Sequence, residues 1–553
     1  MKNVWVMVAL LVVLNGFPQI STTSHNLSVS GPGPMHSTDA DEICVFCHTP
    51  HHADSAAPLW NRKSGAQLYT TYSSSSLYSS TGQPSGATKL CLSCHDGTIA
   101  LGSVLTGGPF DMVNTDGGRI PSTQRSNLGL NLSDDHPVSF DPGPAVTLSG
   151  ELSDPTMPVQ YDDSGLMQCT TCHDPHDNLL EPFLVQTMSR SALCKNCHVL
   201  ANYTGQTTHD VRNKVWGGSQ SSSPWPYSTY NSVALNSCIN CHRPHASDHG
   251  QRLLTHTNDE DVCLVCHDGS FAKNIARDLT RFSAHRMHLF SGHEPGEDLE
   301  TAVRHVECVD CHHPHQLNQL GAVAPWSSGV LKGTWGRTVD GLIVEPAPQE
   351  HQVCLKCHGL DLYTVTPPVV RQQDTANVGV AIHPSNTSYH PLAAIGQSSR
   401  VPSLYMGQNV GSRIYCIDCH SSSAAPQTNR PSGPHGSDEP YILERRYDVG
   451  DLLSYSQTRY ALCFKCHDPT RVMDGQATGF EYHPEHVDSE MTPCSVCHDS
   501  HGSPNHPALI NFDVDVVLTN SAGRLEFAIL GTQGECYLTC HGEEHNPKTY
   551  DRN

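Results

Sequence analysis

The sequence lacks any apolar run long enough to cross a bilayer as a helix. One run, residues 4–14, is apolar over eleven residues, whereas a membrane-spanning helix needs about 20. Preceded by Lys2, this run is typical of an export signal, which we place at residues 1–22 with a cut near 16–23. No Ala-x-Ala site marks the cut, and the first cysteine, Cys44, lies too far downstream to accept a lipid. The mature chain is therefore expected to be exported and to have no spanning segment.

Basic residues are also scarce. The chain has 32 Lys and Arg against 55 Asp and Glu, a formal net charge of −23, and proteins that bind nucleic acid favour basic surfaces. The charge argues against nucleic acid as a partner and suggests that a protein docking by charge would present a basic face. Apolar residues are modest too, roughly 42% when glycine is counted and tyrosine is not, against 45–50% in ordinary globular chains.

No cysteine is left without a partner in the motif pattern. All 24 fall into twelve pairs, which we number 1–12 in chain order. Eleven pairs have the form Cys-x-x-Cys-His, which chance would produce roughly 0.07 times at this length. These are Cys44/Cys47/His48, Cys91/Cys94/His95, Cys169/Cys172/His173, Cys194/Cys197/His198, Cys238/Cys241/His242, Cys263/Cys266/His267, Cys308/Cys311/His312, Cys354/Cys357/His358, Cys416/Cys419/His420, Cys463/Cys466/His467 and Cys494/Cys497/His498. The twelfth, Cys536/Cys540/His541, has three intervening residues.

The repeated pattern is that of c-type haem attachment. Two residues between the cysteines put both sulfurs on one side of a helical turn, where they form thioethers with the haem vinyl groups, and the adjacent histidine becomes the proximal iron ligand. A zinc site or a disulfide network requires no histidine after every second cysteine, and an iron–sulfur cluster needs four converging thiolates. We therefore expect twelve haem c groups, or eleven if the stretched twelfth motif instead forms a disulfide or a free pair.

The motifs come in six pairs that form a loose internal repeat. The first cysteines of a pair are 25 residues apart in two pairs and 42–47 apart in the other four. First members continue into a second histidine three residues later, except motif 9, after which the next histidine is His435. The expected segments are the signal 1–22, then 23–160 for pair 1, 161–300 for pairs 2 and 3, 301–412 for pair 4, 413–475 for pair 5 and 476–553 for pair 6.

The second axial ligand distinguishes an electron carrier from an enzyme, because two imidazoles leave no place on iron for a substrate. Twenty-five histidines remain beyond the proximal ones. A tail histidine cannot easily bend round to the far face of its own haem, so we predict that it caps the second haem of its own pair. These ligands are His51, His176, His245, His315 and His501 for haems 2, 4, 6, 8 and 12, and His435 for haem 10. Upstream histidines would cap the first haems, numbers 1, 3, 5, 7, 9 and 11: His36, His136, His209, His285, His390 and His483.

Other histidines remain candidates or are assigned to the surface. His288, His305, His383 and His486 compete for the upstream role. We assign to the surface His25, His52, His249, His256, His293 and His545. The eleven methionines do not recur in step with the motifs.

Between the pairs lie long stretches rich in Gly, Pro, Ser and Asp, such as 101–165 and 366–412. We predict a mostly irregular chain with short helices near the motifs, little strand, and an elongated stack of six paired-haem modules. Helices are expected within 179–199 and 440–467, and a strand at 514–519. Covalent haems would order loops that are otherwise unusually long.

With these features the chain resembles the multihaem c-type cytochromes with doubled Cys-x-x-Cys-His motifs that occur in metal-respiring bacteria. The resemblance rests on the paired motifs, the His-x-Pro-His tails and the upstream His-Pro elements, and runs from His36 to His541. It implies periplasmic or extracellular electron transfer with no catalytic residue. The implied partners are other redox proteins, such as periplasmic or outer-membrane cytochromes, and external acceptors such as metals. Some members polymerise into haem-stacked filaments.

Two other functions remain open on the sequence. A multihaem reductase of nitrite, hydroxylamine or a sulfur oxyanion needs one haem with an open coordination position, often with a variant proximal ligand, whereas every motif here ends in histidine. A haem store or scaffold would not exchange electrons rapidly with a partner.

Overall fold

The structure is a computed structural model that describes residues 20–55, 57–248, 250–286, 301, 305–361, 367–423 and 432–552. Most of the predicted export signal lies outside these ranges, as do His249, His288 and His293. The chain forms two compact units, one ending at Val262 and the other beginning at Cys263. The finer division into six haem-pair segments stays a prediction.

Helices in the described ranges are short, between four and ten residues long. They are α1 (Gly86–His95), α2 (Gly143–Ser149), α3 (Cys169–Cys172), α4 (Ala192–Lys195), α5 (Thr208–Val211), α6 (Val233–Asn236), α7 (Asp259–His267), α8 (Ala276–Leu279), α9 (Cys308–Cys311), α10 (Glu350–His358), α11 (Val378–Ala381), α12 (Pro469–Met473), α13 (Gly475–Thr478) and α14 (Cys494–Cys497). Proline explains why several motif turns stop at once. Pro175 and Pro314 lie two residues after a motif histidine, and proline lacks an N–H and disfavours helical backbone in the residue before it.

Strands are mostly two-residue pairings. They are β1 (Thr70–Thr71), β2 (Asn131–Leu132), β3 (Ser283–Ala284), β4 (Gly336–Arg337), β5 (Ile343–Val344), β6 (Ser388–Tyr389), β7 (Gly436–Ser437), β8 (Gly502–Ser503), β9 (Val517–Leu518), β10 (Glu526–Leu530), β11 (Gln533–Cys540) and β12 (Glu543–Asp551). β1 pairs with β2 in parallel, and β3 with β7, β4 with β5 and β6 with β8 are antiparallel. The mostly irregular chain with short helices and little strand confirms that part of the predicted fold class, whereas the elongated stack of six paired-haem modules stays a prediction.

The C-terminal segment is the most regular part of the described chain. β10, β11 and β12 form an antiparallel meander, and β9 pairs with β11. His541 and Gly542 link β11 to β12 with φ angles of 49° and 87°. Two central residues with positive φ are the mark of the type I′ turn, which suits the twist of a hairpin.

The sequence did not predict this meander, and its other local predictions hold only in part. Segment 179–199 holds only the turn Ser189–Ser191 and α4, and segment 440–467 holds the 3-10 turns Pro440–Ile442 and Cys463–Lys465. The strand predicted at 514–519 is the short β9.

Buried apolar side chains form small clusters. One cluster lies under the meander and comprises Val496, Ile510, Phe512, Val517, Phe527, Leu538 and Tyr550. Another joins Leu355 of α10 to Ile382 and Leu392. These two clusters of the described ranges are small, in keeping with a chain that needs other apolar volume to order its loops. No helix in the described ranges is long and apolar enough to span a membrane.

Candidate functional site

The eleven regular motifs all form helical turns. Seven lie in or begin in α1, α3, α4, α7, α9, α10 and α14, and four lie in the 3-10 turns Cys44–Phe46, Ser237–Asn240, Cys416–Asp418 and Cys463–Lys465. The N–H of the motif histidine donates to the carbonyl of the first cysteine, at 2.8 Å for His48 and 3.0 Å for His173. The turn that the Cys-x-x-Cys-His spacing predicts is therefore present at every regular motif.

The cysteines themselves are free of disulfides. All 24 lie within the described ranges, and the structure joins none of them in a disulfide. The haem thioethers predicted at these sulfurs stay a prediction.

Motifs 5 and 6 show the same turn on either side of residue 262, where the first compact unit ends. The Cys241 N–H donates to the Cys238 carbonyl at 3.2 Å, and the Cys241 carbonyl accepts the Thr255 N–H at 2.9 Å. Cys266 lies in α7, and its carbonyl accepts the Ala272 N–H at 2.8 Å. The backbone of both second cysteines is thus fixed, whereas haem attachment at Cys241 and Cys266 rests on the motif alone.

A backbone carbonyl fixes the ring of many motif histidines. The Nδ1 atom of His173 lies 3.0 Å from the Pro182 oxygen, and His173 forms a β-bridge with Leu184, two residues further on. The same arrangement joins His242 to Arg252 and Leu254, His420 to Tyr441 and Leu443, and His498 to Ala508 and Ile510. Because a carbonyl can only accept, Nδ1 carries the proton and Nε2 is left as the ligating atom. Metal-bound histidines are oriented in this way.

Pairs of histidine rings face each other across a gap that fits one metal ion. A metal–imidazole bond of about 2.0–2.1 Å puts the centres of two rings that share an ion about 6.3 Å apart. Nine pairs in the described ranges have one motif histidine and ring centroids 6.1–6.5 Å apart. They are His25–His95, His48–His176, His136–His198, His173–His245, His285–His358, His312–His435, His390–His467, His420–His501 and His483–His498. The residues at these motifs fit an iron porphyrin with two axial imidazoles.

The tail histidines are paired differently from the prediction. His176, the tail of motif 3, faces His48 of motif 1 rather than His198 of motif 4. In the same way His245 faces His173, His435 faces His312 and His501 faces His420. Each of these histidines faces the first motif of the preceding pair. The physical reason is that the backbone is already extended at the motif histidine (φ −123°, ψ 133° at His173), so that the tail leaves the turn instead of folding back toward its own pair.

The upstream histidines are shifted in a matching way. His136 faces His198 of motif 4 rather than His173 of motif 3. His285 likewise faces His358, and His390 faces His467. These three upstream histidines thus face the second motif of the pair they precede. Of the four upstream histidines within the nine pairs, His483 is the one that faces its predicted partner, His498 of motif 11, with centroids 6.4 Å apart.

His25, which the sequence assigned to the surface, faces His95 of motif 2 at 6.2 Å. Its Nδ1 atom lies 3.1 Å from the Pro175 oxygen, and its ring stacks on Phe183 at 4.2 Å. No proline or repeated element flags His25 in the sequence, and its ring is positioned by Pro175 and Phe183, about 150 positions away. Only the folded chain reveals this pairing.

Four other predicted ligands stand outside the nine pairs. His36 has its Nδ1 atom 3.1 Å from the Gly33 oxygen, His51 is exposed, and His209 lies in α5. The ring centroid of His315 is 6.0 Å from that of His313. Ligation by these four stays a prediction.

At several of the pairs burial favours the neutral form of the imidazole, which is the form that binds iron. Burial, then the neighbouring His136 ring, lowers the pKa of His198 to about 4. Burial likewise lowers the pKa of His467 to about 4 and that of His435 to about 3.

The second cysteines of the two motifs in a pair lie close to each other. In the thiol form, burial and then the neighbouring Cys94 raise the pKa of Cys47 to about 12. Burial and then Cys197 raise the pKa of Cys172 to about 12. Cys419 and Cys466 are neighbours in pair 5, and Cys311 is a neighbour of Cys354 and Cys357 in pair 4. The two attachment sites of a pair are therefore adjacent.

First cysteines link one pair to the next. The side chain of Cys91 in motif 2 lies next to that of Cys169 in motif 3. The same contact joins Cys194 to Cys238 and Cys354 to Cys416, and Cys463 is a neighbour of Cys494. Contacts within and between pairs thus alternate, so the attachment sites follow one another in sequence order through motifs 1–5 in the first unit and 7–11 in the second.

Glu350 also lies in this cysteine network. One atom each of Glu350, Cys354 and Cys416 lies within 4.8 Å of the others, which suggests a small metal site. However, both carboxylate oxygens of Glu350 accept backbone N–H groups, from Cys416 at 3.0 Å and Ile417 at 3.1 Å. Glu350 therefore caps the turn of motif 9, and the two sulfurs belong to motifs 8 and 9.

The twelfth motif has a different conformation. Cys536 and Cys540 lie on strand β11, and His541 begins the turn to β12. The Nε2 atom of His541, which would be the iron ligand, is 3.0 Å from the carboxylate of Asp451. The tail His501, predicted to cap haem 12, faces His420 of motif 9.

Comparison with known sequences agrees with the motif pattern. The model of a family described as the doubled CXXCH motif matches three segments, residues 158–201, 231–271 and 408–472. No curated protein sequence matches the chain significantly. The matched segments contain motifs 3 and 4, 5 and 6, and 9 and 10. Together with the paired-histidine geometry, they indicate a multihaem c-type cytochrome that binds haem c covalently and transfers electrons.

Proposed function

We propose that the chain is a dodecahaem electron relay, in which closely spaced haems with two histidine ligands carry electrons along the sequence order of their motifs. The observation that carries this proposal is the alternation of sulfur contacts, with second cysteines adjacent within a pair and first cysteines adjacent between pairs. An attachment site that lies beside both the preceding and the following one supports a continuous route through motifs 1–5 and another through motifs 7–11.

The histidine pairs support electron transfer over catalysis. Haem iron, when bound, supplies one-electron chemistry, and two imidazole ligands leave it no position for a substrate. At nine motifs the chain offers two imidazoles at the separation that one iron requires. Carbonyl contacts such as Pro182 to His173 hold the ring before the metal binds, so that little reorganisation accompanies a change in iron charge.

The cellular route is the wider part of the proposal. Multihaem c-type cytochromes are typically exported, and the net charge of −23 suits a partner with a basic face. We infer a periplasmic or extracellular role between another redox protein and an external acceptor such as a metal. Assembly into a filament stays a prediction that electron microscopy of the secreted fraction tests.

The proposal is tested on the exported, haem-loaded protein. Intact mass should count twelve haems, and the oxidised protein should contain only low-spin iron. His390→Ala should convert one haem per chain to high spin because His390 faces His467. The matched control is His383→Ala, because the Nε2 atom of His383 is 3.1 Å from the Asp340 carboxylate. This variant should leave every haem low spin.

A multihaem reductase makes the opposite prediction. Wild-type protein would then show a high-spin ferric haem, together with turnover of nitrite, hydroxylamine or a sulfur oxyanion. That result would favour the reductase over the relay. Slow exchange of electrons with a partner cytochrome would instead favour a haem store.

A further inference from the structure

The twelfth motif conflicts with the haem c turn because it lies in a strand. An extended strand rises about 3.3 Å per residue, so residues 536 and 540 would be about 13 Å apart, whereas side chains three apart on a helical turn are about 5–6 Å apart. A register shift between Cys536 and Leu538 relaxes the strand locally but does not make a helical turn. His541 is therefore not placed as the histidines of the regular motifs are.

The strand also places His541 away from the face on which Cys540 lies. Successive side chains on a strand point to opposite faces, so the residue after Cys540 leaves the face on which Cys540 lies. His541 instead occupies a turn with a positive φ of 49°. Its Nε2 atom is held by Asp451, 3.0 Å and 3.3 Å from the two carboxylate oxygens.

A different histidine returns to the cysteine face on the next strand. His545 of β12 is directly opposite Leu538 of β11, and Cys540 is two residues from Leu538. Directly opposite residues share a face of the sheet, so Cys540, Leu538 and His545 lie on one face. Leu538 belongs to the buried cluster under the meander, and Cys536 and Cys540 pack against that cluster.

His545 faces His486 with the geometry of the nine pairs. Their ring centroids are 6.4 Å apart with an interplanar angle of 81°, close to the 6.3 Å and 82° of His136 and His198. The Nδ1 atom of His486 is 2.8 Å from the Tyr482 oxygen, which leaves its Nε2 atom for a metal. The Nδ1 atom of His545 is buried without a hydrogen-bond partner among the described residues.

The pair belongs to the same part of the chain as the two cysteines. Phe480 contacts the ring of His486 at 5.6 Å and that of Tyr550 at 4.8 Å, and Tyr550 is part of the cluster against which both cysteines pack. His486 itself lies in a π-helical turn, Glu485–Ser489, a conformation common at functional sites.

We propose that the haem served by the Cys536 and Cys540 segment is ligated axially by His486 and His545, and that His541 is a turn residue anchored by Asp451. This inference rests on the proposed function, since it concerns one of the twelve haems. Two imidazoles are too few for a tetrahedral zinc site, whereas they complete the coordination of an iron that a porphyrin already holds by four nitrogens.

The test uses the haem-loaded full chain and electron paramagnetic resonance of the oxidised protein. His545→Ala and His486→Ala should each convert one haem per chain from low to high spin, and added imidazole should reverse the change by filling the gap. His541→Asn is the matched control, because asparagine also favours positive φ before glycine in a type I′ turn. It should leave the haem count and every low-spin signal unchanged.

The opposite pattern would overturn the inference. A high-spin haem in His541→Asn, with none in His545→Ala or His486→Ala, would return the ligand role to His541. If an alanine variant does not mature, His545→Met is measured instead, and a methionine-ligation absorption band should appear for one haem. A mature His545→Met protein without that band also contradicts the inference. Wild-type protein without covalent haem would refute the proposed function itself, a distinct outcome.

Discussion

Arg62 should stabilise the first unit locally by joining two of its segments, and replacing it by methionine tests this. Its side chain is fully enclosed. The guanidinium donates to the carbonyl oxygens of Leu101 at 2.6 Å, Ala100 at 2.9 Å and Ser93 at 3.2 Å. These contacts tie the end of α1 and the loop after it to the segment that follows motif 1.

The expected cost follows from which acceptors lose their only partner. The Ala100 oxygen also accepts the Ser103 N–H at 3.0 Å, so two of the three carbonyls depend on Arg62. A hydrogen bond to a charged group contributes about 1.5–3 kcal/mol, and a buried acceptor left without a partner costs about 1–3 kcal/mol. Methionine keeps most of the apolar volume, so we expect Arg62→Met to lower the free energy of local opening by about 4 kcal/mol, the middle of the range for two buried acceptors left without a partner.

Hydrogen exchange of the haem-loaded protein measures that opening directly. A loss of 4 kcal/mol corresponds to roughly a thousandfold increase in the opening constant, at about 1.4 kcal/mol per tenfold. Amides of residues 97–106 should therefore exchange about a thousand times faster. The control is Arg212→Met, which alters an exposed side chain and should change exchange less than threefold, as surface substitutions usually cost under about 0.5 kcal/mol. Exchange in Arg62→Met within tenfold of wild type would refute the reasoning. Arg62→Lys retains the charge but not the branched guanidinium, so its exchange rates should lie between those of the wild type and of Arg62→Met.

Three further predictions concern other contacts. Burial opposes the charge of Asp210, but hydrogen bonds led by that from Lys195 outweigh it and lower the Asp210 pKa. The contribution of Asp210 to the free energy of unfolding should be complete above pH 4 and lost as the pH falls through the lowered pKa. Asp210→Asn should therefore remove about 3 kcal/mol of stability at neutral pH. Thermal unfolding at several pH values measures this, and equal losses at pH 3 and pH 7 would contradict it. Gly102→Ala should destabilise by about 1–3 kcal/mol because its Cβ would be 2.0 Å from a backbone oxygen, whereas a Cβ at Gly82 meets nothing within 4 Å and Gly82→Ala should be neutral in the same melts. His176→Met should raise the potential of one haem in a redox titration, since methionine ligation raises potentials, and no change would count against its pairing with motif 1.

Sequence reasoning succeeded where the cause is local. Cys-x-x-Cys-His requires a helical turn within five residues, and all regular motifs have one. The histidine pairing could not be predicted in this way, because each partner arrives from a distant segment: His25 reaches His95 beside Pro175. The spacing within the motif predicts that a tail histidine lies away from its own haem, but it does not predict which other haem the histidine faces.

The twelfth motif illustrates a conflict between two local patterns. His541 reads as the end of a haem motif, yet His541-Gly542 is also a two-residue hairpin turn between strands that pair over eight and nine residues. Cross-strand hydrogen bonds and the buried Phe527, Leu538 and Tyr550 favour the hairpin. A longer window, with alternation on both sides of the glycine, is the signal that would have revealed it.

The shifted pairing explains how a chain with small apolar clusters can order so many sites. His173 is the motif histidine of site 3, and His176 faces site 1, so one four-residue segment contacts two sites. Three residues of extended chain span at most about 10 Å, which bounds the distance between those two ligands by covalent geometry alone. His498 and His501 do the same for sites 11 and 9. Iron bonds at both histidines would act as cross-links between consecutive pairs. Loss of one haem should then loosen the neighbouring pair as well as its own, and the short spacing between sites and the order of the relay have the same structural cause.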